Sequence, residues 1–253
     1  MDSAFGKVQQ LNLHHCEAAA AEVGEISDSI YLLQEPYYHT NGRPDVRKPE
    51  NFYSNAESRA AIYTSSLQSF SFVPMHEFID DDIAAGIIEG GCLKYPIVVA
   101  SIYLDINYTT PILPKMMELV EFCTARRMRL LCGIDCNAHS SLWGCADTNS
   151  RGEQLEEFIF EHKLFVHNVG NEVTYCVPAR RASSIIDITV TLNMEEEEIQ
   201  GWHVSPRVTF SDHKMISYTV GKSPTTKIWS RNYGKAKWPL FKENIYIRSP
   251  SNR

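Results

Sequence analysis

The chain has 253 residues, 43% of them hydrophobic, and a formal charge of −7. Such a length can bury one large core or two small ones. No apolar run approaches the roughly 20 residues that span a bilayer, so no membrane association is expected. An acidic body excludes a general nucleic-acid coat but leaves room for a local basic surface. Residues 1–221 hold 16 basic and 30 acidic side chains, whereas 222–253 hold eight basic and one acidic. We therefore expect one domain over 1–221 and a separate basic connector over 222–253. Seven cysteines without even spacing suggest reduced thiols, and Met1 to Lys7 lacks a secretory pattern, so an intracellular protein is expected. Nothing implies an obligate oligomer.

In chain order, Lys7 to Leu13 reads as a first strand, and the alanine-rich stretch from His14 to Val23 as a helix. Ser29 to Glu35 is a second strand, stopped by Pro36. Tyr37 to Ala56 reads as a long loop. Arg59 to Thr64 and Phe70 to Val73 look like paired strands, and Asp80-Asp81-Asp82 like a solvated turn. Ile83 to Glu89 and Pro96 to Asp105 follow as strands. Pro114 to Arg127 is an amphipathic helix that begins with proline.

Leu130 to His139 is the pivotal stretch. A buried strand ends here and delivers Asp135 and Asn137, two residues apart, to one side. The bland alternative is an Asx-rich turn closing a strand. Arg151 to His162 is a helix capped by Asn149 or Ser150. Phe165 to Asn168, Val173 to Val177 and Ile185 to Leu192 are strands, with a run of four acids at Glu195 to Glu198. Trp202 to Val204, Arg207 to Phe210 and Met215 to Val220 complete the sheet content. Many strands with few helices point to two mixed β-sheets packed face to face with helices outside, a four-layer α/β sandwich.

Polar residues gather where apolar strands end: Asn12, Glu35, the Asp135/Asn137 pair, Asp187 and Asp212-His213. An aspartate inside Ser183-Ser184-Ile185-Ile186-Asp187-Ile188-Thr189 is costly to bury alone. A histidine is one partner that would satisfy it, and backbone N–H groups are the other. Cys132, Cys136 and Cys145 match no zinc spacing well, so core or loop filling is expected of them. His139 is expected to order its loop. His14, His15, His162 and His167 read as surface or core histidines.

Six fragments carry a resemblance: Gln10-Leu11-Asn12, Gln34-Glu35, Ser101-Ile102-Tyr103, Gly133 to His139, Ile186-Asp187-Ile188-Thr189, and Ser211-Asp212-His213. In order and content they resemble the exonuclease–endonuclease–phosphatase superfamily, which has the fold of DNase I and of the abasic-site endonucleases. Gln10 to Ala19, Leu33 to Tyr37 and Asn137 to Gly144 are similar in wording to the endonuclease domain of non-LTR retrotransposons of the insect, site-specific type. The chain departs twice from the pattern. Gly-Asp becomes Gly133-Ile134-Asp135, and Tyr-x-Pro-Asn becomes Tyr103-Leu104-Asp105-Ile106-Asn107, which leaves Asn107 without an assigned role.

The resemblance implies a metal-dependent endonuclease that nicks double-stranded DNA at a preferred sequence and leaves a 3′-hydroxyl to prime reverse transcription. Its cofactor would be Mg²⁺, with Mn²⁺ as a substitute, held by Glu35 and Asp212. Asp135 would orient or deprotonate the water, with Asn137 donating beside it. His213, paired with Asp187, would contact a phosphate oxygen or act as base. Tyr103 would donate to the phosphate, and Asn12 would bond within the carboxylate cluster. Thr174 to Ser184 reads as a hairpin whose basic tip, Arg180 and Arg181, would enter the minor groove. Its alternative is an exposed turn with two solvated arginines. The connector would lead to a reverse transcriptase in the same polypeptide, and the site of action would be the nucleus. An abasic-site repair endonuclease, a superfamily phosphatase and a catalytically inactive DNA-binding module are the alternatives.

Overall fold

The long strands are largely apolar and buried on both faces, because each has one side on a facing sheet and the other under helices or loops. The computed structural model describes residues 6–67, 70–91 and 93–221, so the basic connector expected at 222–253 lies outside the described residues. The chain runs β1 (Gly6–Asn12), α1 (Glu17–Ala20), β2 (Ser29–Gln34), β3 (Phe52–Tyr53), β4 (Ala60–Thr64), β5 (Ser71–Pro74), β6 (Ile83–Glu89) and β7 (Ile97–Tyr103). It continues through α2 (Pro114–Ala125), β8 (Arg129–Asp135), α3 (Ser150–Glu161), β9 (Phe165–Val166), β10 (Tyr175–Val177), β11 (Ala182–Ser184), β12 (Asp187–Leu192), β13 (Ile199–Val204) and β14 (Ile216–Val220).

Two six-stranded mixed sheets result, ordered β13-β14-β1-β2-β4-β3 and β5-β6-β7-β8-β12-β9, with β10-β11 as a separate hairpin. The expected sandwich is observed. Between the sheets, Val8, Ile30, Leu32 and Ile62 meet Ala84, Ile97, Val99 and Leu131. Outside the second sheet, Leu130, Cys132 and Ile134 pack with Met116, Leu119 and Val120 of α2 and with Leu155 and Phe158 of α3. The first sheet has a thinner cover, in which Leu11, Tyr31 and Leu33 lie under Ala19, Ala20 and Val23.

Toward the carboxyl ends of β1, β2, β7 and β8 the inter-sheet layer turns from apolar to polar. Gln10 reaches across and donates to Ile134 O at 3.3 Å and Ile188 O at 3.2 Å, while Thr189 Oγ1 donates to its carbonyl at 3.1 Å. Gln34 donates to Ser101 Oγ at 2.9 Å and Gly133 O at 3.2 Å. Backbone carbonyls and hydroxyls of the facing sheet thus satisfy the Gln10 amide and the Gln34 NH2 group, which is what makes this burial tolerable, while Gln34 Oε1 has no hydrogen-bond partner. Gly133 is needed here: a Cβ would lie 2.9 Å from Gln10 Oε1 and from Leu32 Cδ1. This close approach gives a use for the glycine in Gly133-Ile134-Asp135, two residues before the aspartate on the same strand face.

Three expectations are corrected. The helix expected from His14 to Val23 is only the single turn Glu17–Ala20, because His14 and His15 take positive φ values of 48° and 51°. The segment Arg207 to Phe210 forms no strand. Phe70 to Val73 does not pair with Arg59 to Thr64: β4 pairs with β2 and β3, and β5 with β6 in the other sheet. The loop from 37 to 56 also holds the short strand β3, and β13 begins at Ile199. The acid run is not wholly solvated. Glu198 is buried on Arg129 at 2.6 Å, and it closes a capping box with Glu195. Among the described residues no helix is long and apolar enough to cross a membrane.

Candidate active site

Register brings three of the sequence-selected residues into one row. Tyr103 of β7 pairs with Asp135 of β8, and Asp135 pairs with Asp187 of β12. The neighbouring sheet supplies Asn12 and Glu35 from the ends of β1 and β2. The Asn12 amide joins the halves, donating to Glu35 Oε2 at 3.0 Å and to Asp135 Oδ2 at 2.7 Å. Asn12, Asp135, Asp187 and His213 are all buried.

His213 meets the row from the loop before β14. Its Nδ1 lies 2.9 Å from Asp187 Oδ2. Burial alone would depress this imidazole, but Asp187, Asp135 and Asp212 outweigh it and push the ring up to about 9. Burial and the Asp187 charge push the Asp135 carboxyl up to about 7, against the pull of His213 and Asn12. Burial, then Glu35 and Asp135, raise the Tyr103 phenol far above its usual range. Thr174 Oγ1 accepts from the N–H groups of Ile186 and Asp187, both at 3.1 Å, which fixes the start of β12.

Glu35 and Asp212 line the more open side, each less than a fifth exposed. The two histidines expected to be surface or core residues face them. His14 Nδ1 stands 3.9 Å from Glu35 Oε2 and 3.6 Å from Asp212 Oδ1, and His15 Nε2 stands 3.6 Å from Glu35 Oε1. Their left-handed backbone is held by Asn12 Oδ1, which accepts from His14 N at 2.7 Å, and by Glu35 O, which accepts from His15 N at 2.9 Å. Glu35 itself has φ 44°.

The strand ends at Asp135, so Asn137 is not aimed by strand periodicity. It takes φ 46°, places its backbone N–H 3.3 Å from Asp135 Oδ1, and donates its amide to Leu104 O at 3.3 Å. Sequence reasoning missed the residue that holds this loop. Arg151 donates to four backbone carbonyls, those of Asn137, Tyr108, Leu104 and Asp105, at 2.8 to 3.2 Å. It thus ties the loop after Asp135 to the loop after Tyr103. Beside it, a Cβ on Gly152 would sit 1.8 Å from His139 O, so α3 packs directly on the His139 loop. Arg59 was missed as well. Its guanidinium lies 5.1 Å over the Tyr103 ring and pairs with Asp82 and Asp105. Asn107 binds back onto Asp105 Oδ1 at 2.8 and 2.9 Å, as a turn-former outside the cluster.

The basic hairpin adjoins the Asp212-His213 segment directly. Cys176 N donates to Asp212 O at 2.8 Å, and Lys214 N to Thr174 O at 2.7 Å. Arg180 and Arg181 are exposed at its tip. Cys132 and Cys136 are buried thiols with raised pKa, which suits packing and not thiolate ligation.

The cluster fits a divalent cation. Asp187, Asp135 and Asp212 surround one imidazole, Glu35 is tied to Asp135 through Asn12, and buried Asp187 Oδ1 has no hydrogen-bond partner. Asp135, Asp187 and His213 can bring one ligand atom each within 4.8 Å of one another. Two of these three already bond each other, which leaves the Glu35 and Asp212 side as the freer one.

Residues 97–217 match the family model described as endonuclease-reverse transcriptase. The endonuclease domain of TRAS1, a telomere-specific non-LTR retrotransposon, superimposes with a TM-score of 0.69 at 23% identity, covering 85% of this chain and 97% of that one. The fold is DNase I-like. An AP endonuclease from Leishmania major shares this fold with a TM-score of 0.66 at 11% identity, over 88% of this chain and 90% of its own. The catalytic domain of Xenopus laevis APE2 does so at 0.51 and 15%, over 87% and 94%. No curated protein matches the chain in sequence. The family model thus covers residues 97–217, and the shared fold extends over most of the chain.

Proposed function

We propose that the chain is a metal-dependent endonuclease that nicks double-stranded nuclear DNA at a preferred sequence. The nick would leave a 3′-hydroxyl that primes a reverse transcriptase in the same polypeptide. The observation that carries this reading is the Asn12 amide bound to Glu35 and Asp135 at once, with the His213–Asp187 pair beside them. Such a cluster suits one phosphodiester and one hard cation.

Glu35 and Asp212 would hold Mg²⁺, or Mn²⁺ in its place, with Asn12 keeping Glu35 turned toward Asp135. The ion would neutralise the phosphate and stabilise the leaving oxygen. The carboxylates of Asp187, Asp135 and Asp212 favour the protonated ring, so His213 would donate to a non-bridging oxygen. Asp135, with its carboxyl near 7, is the group poised to take the water's proton. The Asn137 backbone N–H, 3.3 Å from Asp135 Oδ1, keeps that carboxylate oriented. Tyr103, whose phenol stays protonated, donates to the phosphate. Arg180 and Arg181 would follow the minor groove.

The test is to incubate the protein with supercoiled plasmid and Mg²⁺ and to sequence the nick ends. Relaxed circles with recurring 3′-hydroxyl ends support the reading. Cutting confined to depurinated plasmid would instead identify an abasic-site enzyme, and binding without cutting an inactive module.

A further inference from the structure

We propose that Phe210 is a wedge that stacks on a base beside the scissile phosphate and so selects the step to be cut. The proposal rests on the duplex-nicking reading above. Phe210 is 61% exposed and Val208 70%, while Thr209 between them is buried and donates to His213 O at 2.6 Å. The segment thus turns its apolar side chains outward and its polar one inward, the reverse of what a core element does. An isolated exposed phenyl needs no explanation. This one has φ 57°, a left-handed conformation that bulky residues adopt at a cost.

Its backbone is pinned on both sides. Phe210 O accepts from Cys16 Sγ at 3.4 Å, and Ser211 Oγ donates to Asn12 O at 2.8 Å. The ring therefore projects from a fixed base two residues before Asp212 and three before His213. The hairpin carrying Arg180 and Arg181 joins the same rim through the bond from Cys176 N to Asp212 O. Cations for phosphates and an apolar wedge for a base step then flank one phosphate-cutting centre, a combination that suits a duplex opened or kinked at the groove. More than half of the residue is open to solvent, which leaves a ring face for a base to cover.

The experiment compares parent, Phe210→Ala, Phe210→Trp and Phe210→Asn by plasmid nicking rate, sequenced nick ends and melting temperature. Phe210→Ala is expected to nick roughly 5- to 150-fold more slowly, the range for stacking one base on an aromatic ring, and at a broader set of steps. Phe210→Trp should keep both rate and preference. Phe210→Asn, at home in the left-handed region, should melt about 2–4 °C higher and still nick poorly. Alanine nicking at the parent's rate and sites overturns the wedge and leaves the nuclease reading standing. A lower melting temperature in both Ala and Asn variants assigns the ring to the fold and also overturns it. A parent that nicks no plasmid brings down both readings.

Discussion

Replacing Asp187 by Asn tests the electrostatic core of the site. Asp187 and His213 are 1% and 3% exposed, and Asp187 Oδ2 lies 2.9 Å from His213 Nδ1. Asparagine keeps the shape and can still accept from Nδ1, so what is lost is the charge. Raising the imidazole from 6.5 to about 9 corresponds to about 3 kcal/mol. A histidine raised in the fold contributes stability that is full below its unfolded pKa and fades as pH rises through its folded one. The variant should therefore lose about 2–3 kcal/mol at pH 7 and below, or roughly 4–12 °C for a domain of this size, and much less at pH 9. Without Asp187, the largest of the carboxylates that raise it, the His213 ring should titrate well below 9. Nicking should then fall about 10²–10⁴-fold. Thermal melts at pH 6 and 9 in a chelator, with an NMR titration of the His213 ring, give the answer. A ring still titrating near 9, or an equal penalty at both pH values, refutes the argument.

Arg151→Gln removes four carbonyl contacts that position Asn137 and Tyr103 indirectly, so kcat on plasmid should drop by about 10²-fold with KM little changed. A matching rise in KM would mean that Arg151 meets DNA itself. Replacing Arg180 and Arg181 together by Ala should leave the melting temperature alone and lower the slope of log affinity against log salt by about 2. Unchanged nicking and site preference would reject the basic hairpin as a DNA contact. In the metal-free protein Asp135, raised to about 7, costs stability as pH rises from about 4 to 7, and buried His167, lowered to about 4, costs it as pH falls from about 6.5 to 4, so the two offset each other over that range. Above about pH 6.5 stability should fall, as His213 loses its raised proton toward 9. Mg²⁺ should flatten the alkaline side, as melting curves with and without chelator would show.

Glu35 and Asp135 were legible because each closes an apolar strand, and strand period and stop signals are local, whereas Asp187 opens β12 and Asp212 follows a segment that forms no strand. Asp187 was legible as a residue needing a partner, and the structure supplies His213. The His14–Val23 helix misled because alanine propensity is local too, whereas the curl that brings His14 and His15 to Glu35 is fixed by contacts from Asn12 and Glu35. Val208 and Phe210 alternate as a strand would, but no strand lies alongside, and the same alternation marks an outward-facing loop. Arg151 could not be read at all. Its partners are main-chain carbonyls, which leave no mark in composition or spacing.

The pairing of β1 with β14, from Gly6 against Val220 to Gln10 against Ile216, has a temporal consequence. The first described strand is hydrogen-bonded to the last, and Asn12 sits at the end of the one while His213 enters just before the other. A ribosome must finish nearly the whole described chain before this sheet is complete. Until then the growing polypeptide holds Asn12 and His213 apart, and the cluster they share is not assembled.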